Sequence, residues 1–283
     1  MNMMLLRNRA IINSKLINPA FTMVVDTTKA GSAADTFIIP LRNSEVYDFT
    51  VDWGDGVTEN VAGTGLTEKS HTYSVSGTYT IKINGIFPRI LFNNGGDKLK
   101  LMDVSNWGNI QWGDSLVNAF YGCTNATFTA TDAPNFCVNC NISGMFRDCV
   151  SFNNPVNHWD TSNVEIIDNM FRTCSIFNQP LSNWDTSNII RAQSVFFACN
   201  VFDQDISNWN VENIGDLVSL LQLTAFSNEN YDKLLVSWAS QNVQSNVSFH
   251  AGTAKYSSGE PATARDYLAN TKGWTITDGG LLT

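Results

Sequence analysis

The 283-residue sequence is poor in charge, in histidine and in long apolar runs. Charged residues make up 15% of the chain, whereas an average globular protein has about 25%. The three histidines, His71, His158 and His250, are too few and too far apart for a histidine-based metal site. Because no stretch approaches the roughly 18 consecutive apolar residues of a membrane-spanning helix, we expect no membrane insertion.

The charge that remains is mostly acidic. The chain has 17 basic and 26 acidic residues and a formal net charge of -9. Nucleic acids and anionic membrane surfaces are bound by clustered lysine and arginine, which replace the counterions of the phosphates. The basic residues here are scattered along the chain, so the sequence predicts no nucleic-acid partner.

Residues 1–19 show no periodic pattern, and we expect them to form an N-terminal arm that a partner orders. The short apolar run at residues 3–6 is interrupted by Arg7 and Arg9, and no small-residue cleavage site follows. This is unlike a secretory signal. The sequence therefore favours assembly in the cytoplasm and release by lysis or another route, or else a precursor whose export segment has been trimmed.

Asparagine is what the chain has in abundance, with 33 residues. Asparagine favours turns because its side chain imitates backbone hydrogen-bonding groups. From Phe21 onward, short apolar runs at residues 21–25, 36–41 and 47–53 alternate with clusters of turn-forming residues. This pattern predicts a β-sandwich over residues 20–92.

Two motifs in that segment point to a family. Residues 51–56 read Val-Asp-Trp-Gly-Asp-Gly, while residues 71–73 and 77–81 read His-Thr-Tyr and Gly-Thr-Tyr-Thr-Ile. The combination resembles the polycystic kidney disease (PKD) family of immunoglobulin-like modules. The resemblance implies a seven-stranded sandwich that serves as a binding module or as a spacer.

The first of these motifs has a structural explanation. We expect Trp53 to fill the core between the two sheets. Gly54 and Gly56 permit the positive φ angles of a tight turn, which Asp55 caps.

Residues 93–225 contain an internal repeat of 25 residues. A period of this length, with large apolar residues at fixed positions, predicts a solenoid in which each coil buries one face against the next. An earlier, degenerate copy contributes Trp107, Phe120 and Cys123. The clearest ladders are Trp159, Trp184 and Trp209; Phe146, Phe171 and Phe196; and Cys149, Cys174 and Cys199.

The units at residues 152–164 and 177–189 are similar to those of the BspA-type leucine-rich repeat family of surface proteins, and the resemblance extends over about residues 97–275. It implies a role in surface adhesion. After Asn210 the units lose their Met-Phe element. We therefore expect residues 226–283 to form a C-terminal capping region that covers the open end of the solenoid.

The repeated tryptophan allows two arrangements. Leu181 and Trp184 are three residues apart, so a straight strand cannot direct both inward. A corner between them would give a buried tryptophan stack, which we prefer; without a corner the indoles would form an exposed row for stacking on sugar rings. With Trp184 inside, the following segment presents a polar, acidic stripe on the sheet face, suited to a protein or glycan partner or else merely solvated. The stripe consists of Asp160, Ser162, Asp185, Ser187, Asn210 and Glu212.

The sequence offers no catalytic constellation. It contains no glycine-rich phosphate loop, no His-Glu-x-x-His motif and no Gly-x-Ser-x-Gly motif, so we expect no enzyme and no cofactor. Cys137 and Cys140 form a single Cys-x-x-Cys pair, which alone does not make a zinc site. We interpret the cysteines at the repeat position as structural thiols, with a disulfide or a metal site as the alternatives. Calcium stays open, although neither an EF-hand nor a nonapeptide repeat is present.

Together these observations predict a mainly β, non-enzymatic protein displayed on a surface. Because a bacteriophage particle assembles in the cytoplasm and leaves by lysis, we favour a virion component of the tail, fibre or capsid-decoration type. Its arm would contact other virion proteins in a symmetric assembly, and its solenoid would bind a host cell-surface glycan or protein. The alternatives are a bacterial cell-surface or secreted adhesin and, less favoured, a glycan-active enzyme with a PKD accessory module.

Overall fold

The computed structural model describes residues 19–283, so the predicted N-terminal arm lies outside the described residues apart from Pro19. Within that range strands far outnumber helices, which confirms the expectation of a mainly β protein. The first seven strands are β1 (Phe21–Asp26), β2 (Thr36–Pro40), β3 (Val46–Asp52), β4 (Thr58–Thr64), β5 (Glu68–Thr72), β6 (Thr78–Ile86) and β7 (Leu101–Asn106). The later elements are β8 (Cys140–Asn141), β9 (Val164–Ile166), helix α1 (Asn228–Ala239), β10 (Ser248–His250), helix α2 (Glu260–Asp266), a π-helical turn (Tyr267–Thr271) and β11 (Thr275–Thr277).

The N-terminal part contains two antiparallel sheets. Five strands lie in the order β4-β3-β6-β1-β7, and β2 pairs with β5 separately. Along β1 the side chains of Phe21, Met23 and Val25 are buried, while those between them are half-buried. Because successive side chains of a strand point to opposite faces, this alternation places one face of the sheet on the core.

Strand β7 joins this sheet from the segment predicted to belong to the repeats. β1 pairs with β6 on one side and with β7 on the other, so that Val24 lies opposite both Thr80 and Asp103. The predicted boundary at residue 92 thus falls between two strands of one sheet. The buried apolar core also continues from the sheets into the repeats, and the two parts share a strand and a core.

Residues 93–225 form 25-residue units that stack on one another, and we call this region the repeat stack. Backbone amides donate to carbonyl groups one unit further along, as from Phe171 to Val195 at 3.1 Å. Short parallel bridges connect Ile166 to Arg191 and Arg191 to Asp216. Each unit therefore contacts its neighbour at a constant offset, and equivalent side chains fall into line along the stack.

Each unit turns two sharp corners through the left-handed backbone region. A chain of L-residues enters this region only locally, since the β-carbon then approaches the following carbonyl group. The residues with positive φ therefore mark where each unit changes direction. The first corner lies at Asn118, Gly144, Asn169, Ser194 and Ser219, and the second at Gly122, Asp148, Thr173, Ala198 and Leu223.

Residues 226–283 were expected to end the stack as a cap, yet the parallel pairing continues through them. Leu217 bridges to Phe249, and β10 pairs in parallel with β11. Helix α1 buries Leu235 and Trp238, so apolar residues at helical spacing supply the core where the repeat pattern has been lost. The C-terminal region extends the pairing and adds two helices to it.

Candidate binding surface

Columns of stacked phenylalanine rings form the interior of the repeat stack. Phe146, Phe171 and Phe196 are wholly buried, with adjacent ring centroids 6.0 Å apart and interplanar angles of 7° and 9°. Such stacking of large apolar groups dominates core energetics. A parallel column consists of Phe152, Phe177 and Phe202.

The repeated tryptophans lie inside, beyond a corner of the chain. The amide of Trp184 donates to the carbonyl oxygen of Leu181 at 3.2 Å, and this tight turn directs both side chains into the core. The ring centroids of Trp184 and Trp209 are 6.3 Å apart at an angle of 6°, and Trp159 is buried likewise. The indoles therefore form no exposed row on which a sugar could stack.

The cysteines at the repeat position line a third column as free thiols. The Sγ atoms of Cys149, Cys174 and Cys199 each donate to a phenylalanine carbonyl oxygen of the preceding unit, at 3.0–3.1 Å. Burial raises the pKa of Cys149 to about 12 and holds the pKa of Cys174 well above its ordinary range. Protonated thiols are poor nucleophiles and metal ligands, so the arrangement explains these cysteines as S–H donors that connect units.

Asparagine connects the units on their surface. The Oδ1 atom of Asn153 accepts the amide of Asn178 at 2.9 Å, and Oδ1 of Asn178 accepts the amide of Asp203 at the same distance. The Oδ1 atom of Asp203 continues the series with the amide of Ser227 at 2.8 Å. Side chains that replace missing backbone partners in this way satisfy the polar groups of turns, which gives many of the asparagines a structural role.

The predicted acidic stripe lies in turns and not on the face of a strand. Oδ1 of Asp160 accepts the amide of Ser162 at 3.1 Å and its hydroxyl group at 2.6 Å. Aspartate and asparagine favour such turns because they bond the backbone two residues ahead. The placement on the sheet face was therefore wrong, since the Asp-x-Ser spacing stabilises a turn before the chain enters the strand. The amide contact recurs in the next two units, between Asp185 and Ser187 and between Asn210 and Glu212.

The outward face of the parallel pairing carries a different row. Its consecutive members pair with one another from unit to unit, and their side chains are partly or fully exposed. The residues that follow them, such as Ile167 and Ala192, are buried. The row, which we call the strand row, consists of Ser115, Asn141, Ile166, Arg191 and Asp216.

Sequence reasoning missed the strand row because its strands are only one to three residues long. The signal available in the sequence was an apolar residue directly after each of the last four members of the row, at residues 142, 167, 192 and 217. Within the row, Nη2 of Arg191 lies 2.6 Å from Oδ2 of Asp168. Burial raises the pKa of Asp168, and the charge of Arg191 opposes that rise. The guanidinium is thereby positioned while half of its side chain stays exposed.

The motifs at residues 51–56 and 71–73 form a compact network in the N-terminal part. Trp53 is wholly buried and stacks on the His71 ring, with centroids 4.8 Å apart. Asp55 accepts the amide of Val57 at 3.0 Å and lies 2.8 Å from Nε2 of His71. The Asp55–His71 contact joins the two motifs, and sequence reasoning did not identify it.

The two glycines of this motif occupy the left-handed region, with φ of 84° at Gly54 and 94° at Gly56. A β-carbon at Gly54 would lie 2.5 Å from the carbonyl oxygen of Thr80. This close approach of two backbones admits only glycine at residue 54.

The Cys-x-x-Cys pair lies beside the first units of the stack. The Sγ atoms of Cys137 and Cys140 lie 3.0 Å and 3.8 Å from the carbonyl oxygen of Gly113, and both thiols are free. No group of three or more potential metal ligands occurs in residues 19–283. In the same part of the chain, no helix is long and apolar enough to cross a membrane.

Comparison with known proteins identifies the repeat region. Neither the curated proteins nor the solved structures contain a match to this chain. A family model described as Mycoplasma protein of unknown function, DUF285, matches residues 114–234 and again residues 140–259. The two overlapping matches together span just over half of the chain and cover most of the repeat stack and the first part of the C-terminal region. The chain therefore belongs to this family of Mycoplasma proteins of unknown function.

Proposed function

We propose that the protein is a non-enzymatic binding protein displayed on a surface, and that the strand row contacts a host-surface glycan or protein. The observation that carries this proposal is the strand row itself, which presents one accessible side chain per unit at a constant step. Many modest contacts at regular spacing combine into strong attachment when the partner is also repetitive. The acidic turns beside the row add side chains that accept hydrogen bonds.

The sheet shared between the two parts supports a rigid presentation of this row. We interpret the N-terminal part as a PKD-like sandwich and the repeat stack as a leucine-rich solenoid of the BspA type. The solenoid interpretation is supported by the 25-residue offset, the inward columns of rings and the family match. The PKD-like interpretation is supported by the contacts around Trp53. On this interpretation the sandwich is a base, the solenoid is the binding element, and residues 226–283 close its far end.

We place the protein on the surface of a bacteriophage particle, where residues 1–19 would contact neighbouring virion proteins in a symmetric assembly. Six free cysteines agree with assembly in a reducing cytoplasm. A bacterial cell-surface or secreted adhesin is the second candidate, and the match to a family named for Mycoplasma proteins favours it.

The location is tested by mass spectrometry of density-purified phage particles beside envelopes of uninfected host cells. We expect peptides of this chain in particles at stoichiometric amounts. Their presence only in host envelopes would overturn the virion location and leave the cellular adhesin.

The role of the strand row is tested by flow cytometry with labelled protein and host cells. We expect Arg191→Glu to weaken cell binding about tenfold, since it reverses a charge on the row and separates it from Asp168 by repulsion. Lys82→Glu, on the exposed face of β6, makes the same charge change away from the row. Equal binding by both variants would contradict the proposal.

A further inference from the structure

A polar pocket of about 520 Å³ lies where the sandwich meets the first units of the repeat stack. It is formed by three separate parts of the chain: the turn before β3, the connection after β6, and the first two positions of the strand row. No aromatic side chain lines it. Its lining residues are Arg42, Ser44, Glu45, Arg89, Asp114, Ser115 and Asn141.

Arg89 is the unusual member of this pocket, because its charged side chain is 2% exposed and forms no ion pair within 4.0 Å among residues 19–283. Its Nη2 atom donates to the carbonyl oxygen of Val117 at 2.9 Å. Its Nε atom is buried and has no hydrogen-bond partner among the described residues. A buried charge or donor left unpaired is costly, so the side chain is held ready for an acceptor that the described residues do not supply.

Arg42 adds a second positive charge to the same pocket. Burial, together with the nearby charge of Arg42, lowers the pKa of Arg89, while the charges of Glu45 and Asp114 oppose that fall. The two cations and the two carboxylates therefore share one space. Neither guanidinium forms an ion pair with a carboxylate within residues 19–283, although Glu45 and Asp114 line the pocket. An anion between the two arginines would compensate both charges.

The other lining groups restrict which anion fits. The carboxylates of Glu45 and Asp114 repel a doubly charged phosphate, but they accept hydrogen bonds from hydroxyl groups. Ser115 and Asn141 can donate to or accept from the same hydroxyl groups. The absence of an aromatic ring from the lining removes the stacking surface that a neutral sugar uses. The set therefore suits a singly charged carboxylate attached to a polyhydroxylated body.

We propose that this pocket binds the carboxylate of an acidic sugar, such as a uronic acid residue of a host-surface glycan, between Arg42 and Arg89. The inference rests on the proposed binding function and refines it, because Ser115 and Asn141 belong to the strand row. A glycan chain held at this end by its acidic residue would extend along the row.

The test is ligand-observed saturation-transfer NMR on the full-length protein with glucuronate, glucose, acetate and methyl phosphate as probes. We expect a signal from glucuronate, a weaker one from acetate, and none from glucose or methyl phosphate. Arg42→Gln, at the half-buried edge of the pocket, should weaken glucuronate binding about tenfold through loss of a charge-assisted hydrogen bond. Lys82→Gln removes one positive charge elsewhere and should change nothing.

Asp114→Asn supplies an independent variant. It removes one repelling charge, so methyl phosphate should begin to give a signal. Arg89→Met should abolish glucuronate binding, and a thermal unfolding curve on the same sample distinguishes that loss from failure to fold. Equal signals from glucose and glucuronate, or unchanged glucuronate binding by Arg42→Gln, would overturn the proposal. A glucuronate signal without attachment to host cells would uphold the pocket and reject the adhesive function, whereas attachment without a glucuronate signal would do the reverse.

Discussion

The ammonium group of Lys100 lies 4.0 Å from the carboxylate of Asp97, and both side chains are wholly buried. The Nζ atom of Lys100 donates to the carbonyl oxygens of Ala33 and Thr36 at 2.7 Å. Asp97 accepts the amide of Ile38 at the same distance. A buried pair from the first unit thus fixes the loop that precedes β2, and the two parts are joined by polar contacts as well as by β7.

We expect Lys100→Met to lower the free energy of unfolding by about 3–5 kcal/mol, because it leaves the carboxylate of Asp97 buried without its partner charge. Urea unfolding measures the loss. Lys98→Met is the matched control, since the half-buried Lys98 side chain hydrogen-bonds to the exposed Asn94, and it should change stability by less than about 0.5 kcal/mol. Adding Asp97→Asn to Lys100→Met should recover part of the loss; no recovery would show that the pair is not coupled.

The Asp55–His71 contact predicts a dependence of stability on pH. Burial works against ionisation of Asp55, but hydrogen bonds from His71 and Val57 outweigh it and lower the pKa of this carboxyl group. Its contribution is therefore present above the ordinary aspartate pKa and is lost as the pH falls through the lowered value. We expect Asp55→Asn to unfold at a lower temperature than the parent at pH 7 and at nearly the same temperature at pH 2.5. Asp48→Asn, on the exposed face of β3, should show no such convergence.

The thiols should differ in reactivity. Cys137 is the half-buried member of the six cysteines, while the others are buried. Burial raises the pKa of Cys140 and Cys149, which slows attack by the thiolate. We expect brief treatment of the native protein with iodoacetamide to label Cys137 first, as identified by peptide mass spectrometry. Rapid labelling of Cys149 would contradict the buried column of thiols.

The left-handed corners predict a stabilising substitution. Ala198 has φ of 57°, a conformation that costs a residue with a β-carbon about 1–2 kcal/mol. Glycine avoids that cost but loses more entropy on folding, so Ala198→Gly should stabilise by roughly 0.5–1 kcal/mol. Ala192→Gly, at a buried position with no positive φ, should destabilise instead. Thermal unfolding of both variants checks the sign of each effect.

The spacing of residues predicts the interior of the repeat stack well, because a constant period fixes which side chains of successive units meet. The columns through Phe171 and Cys174 follow directly from the 25-residue step. The sequence does not predict that β7 pairs with β1, since this pairing depends on where the first unit of the repeat stack lies in space. The alternation of a strand would also place Asp160 on the sheet face, whereas this aspartate forms a turn with Ser162.

The pocket around Arg89 has no local sequence signal. Its arginines come from the turn before β3 and from the connection after β6, and Asp114 and Asn141 come from two different units. Each of these residues is unremarkable among its neighbours in sequence. Only folding brings the two arginines into one pocket, and burial of Arg89 is what distinguishes the site from an ordinary charged surface.

The constant offset between units has an evolutionary consequence. Each unit bonds to the next in the same way, so a duplication or deletion of 25 residues preserves every contact except at one join. Shorter insertions would shift the columns out of line and be selected against. The strand row can therefore lengthen or shorten by recombination within the gene, in steps of about 4.8 Å, while the N-terminal sheets and the C-terminal helices stay unchanged.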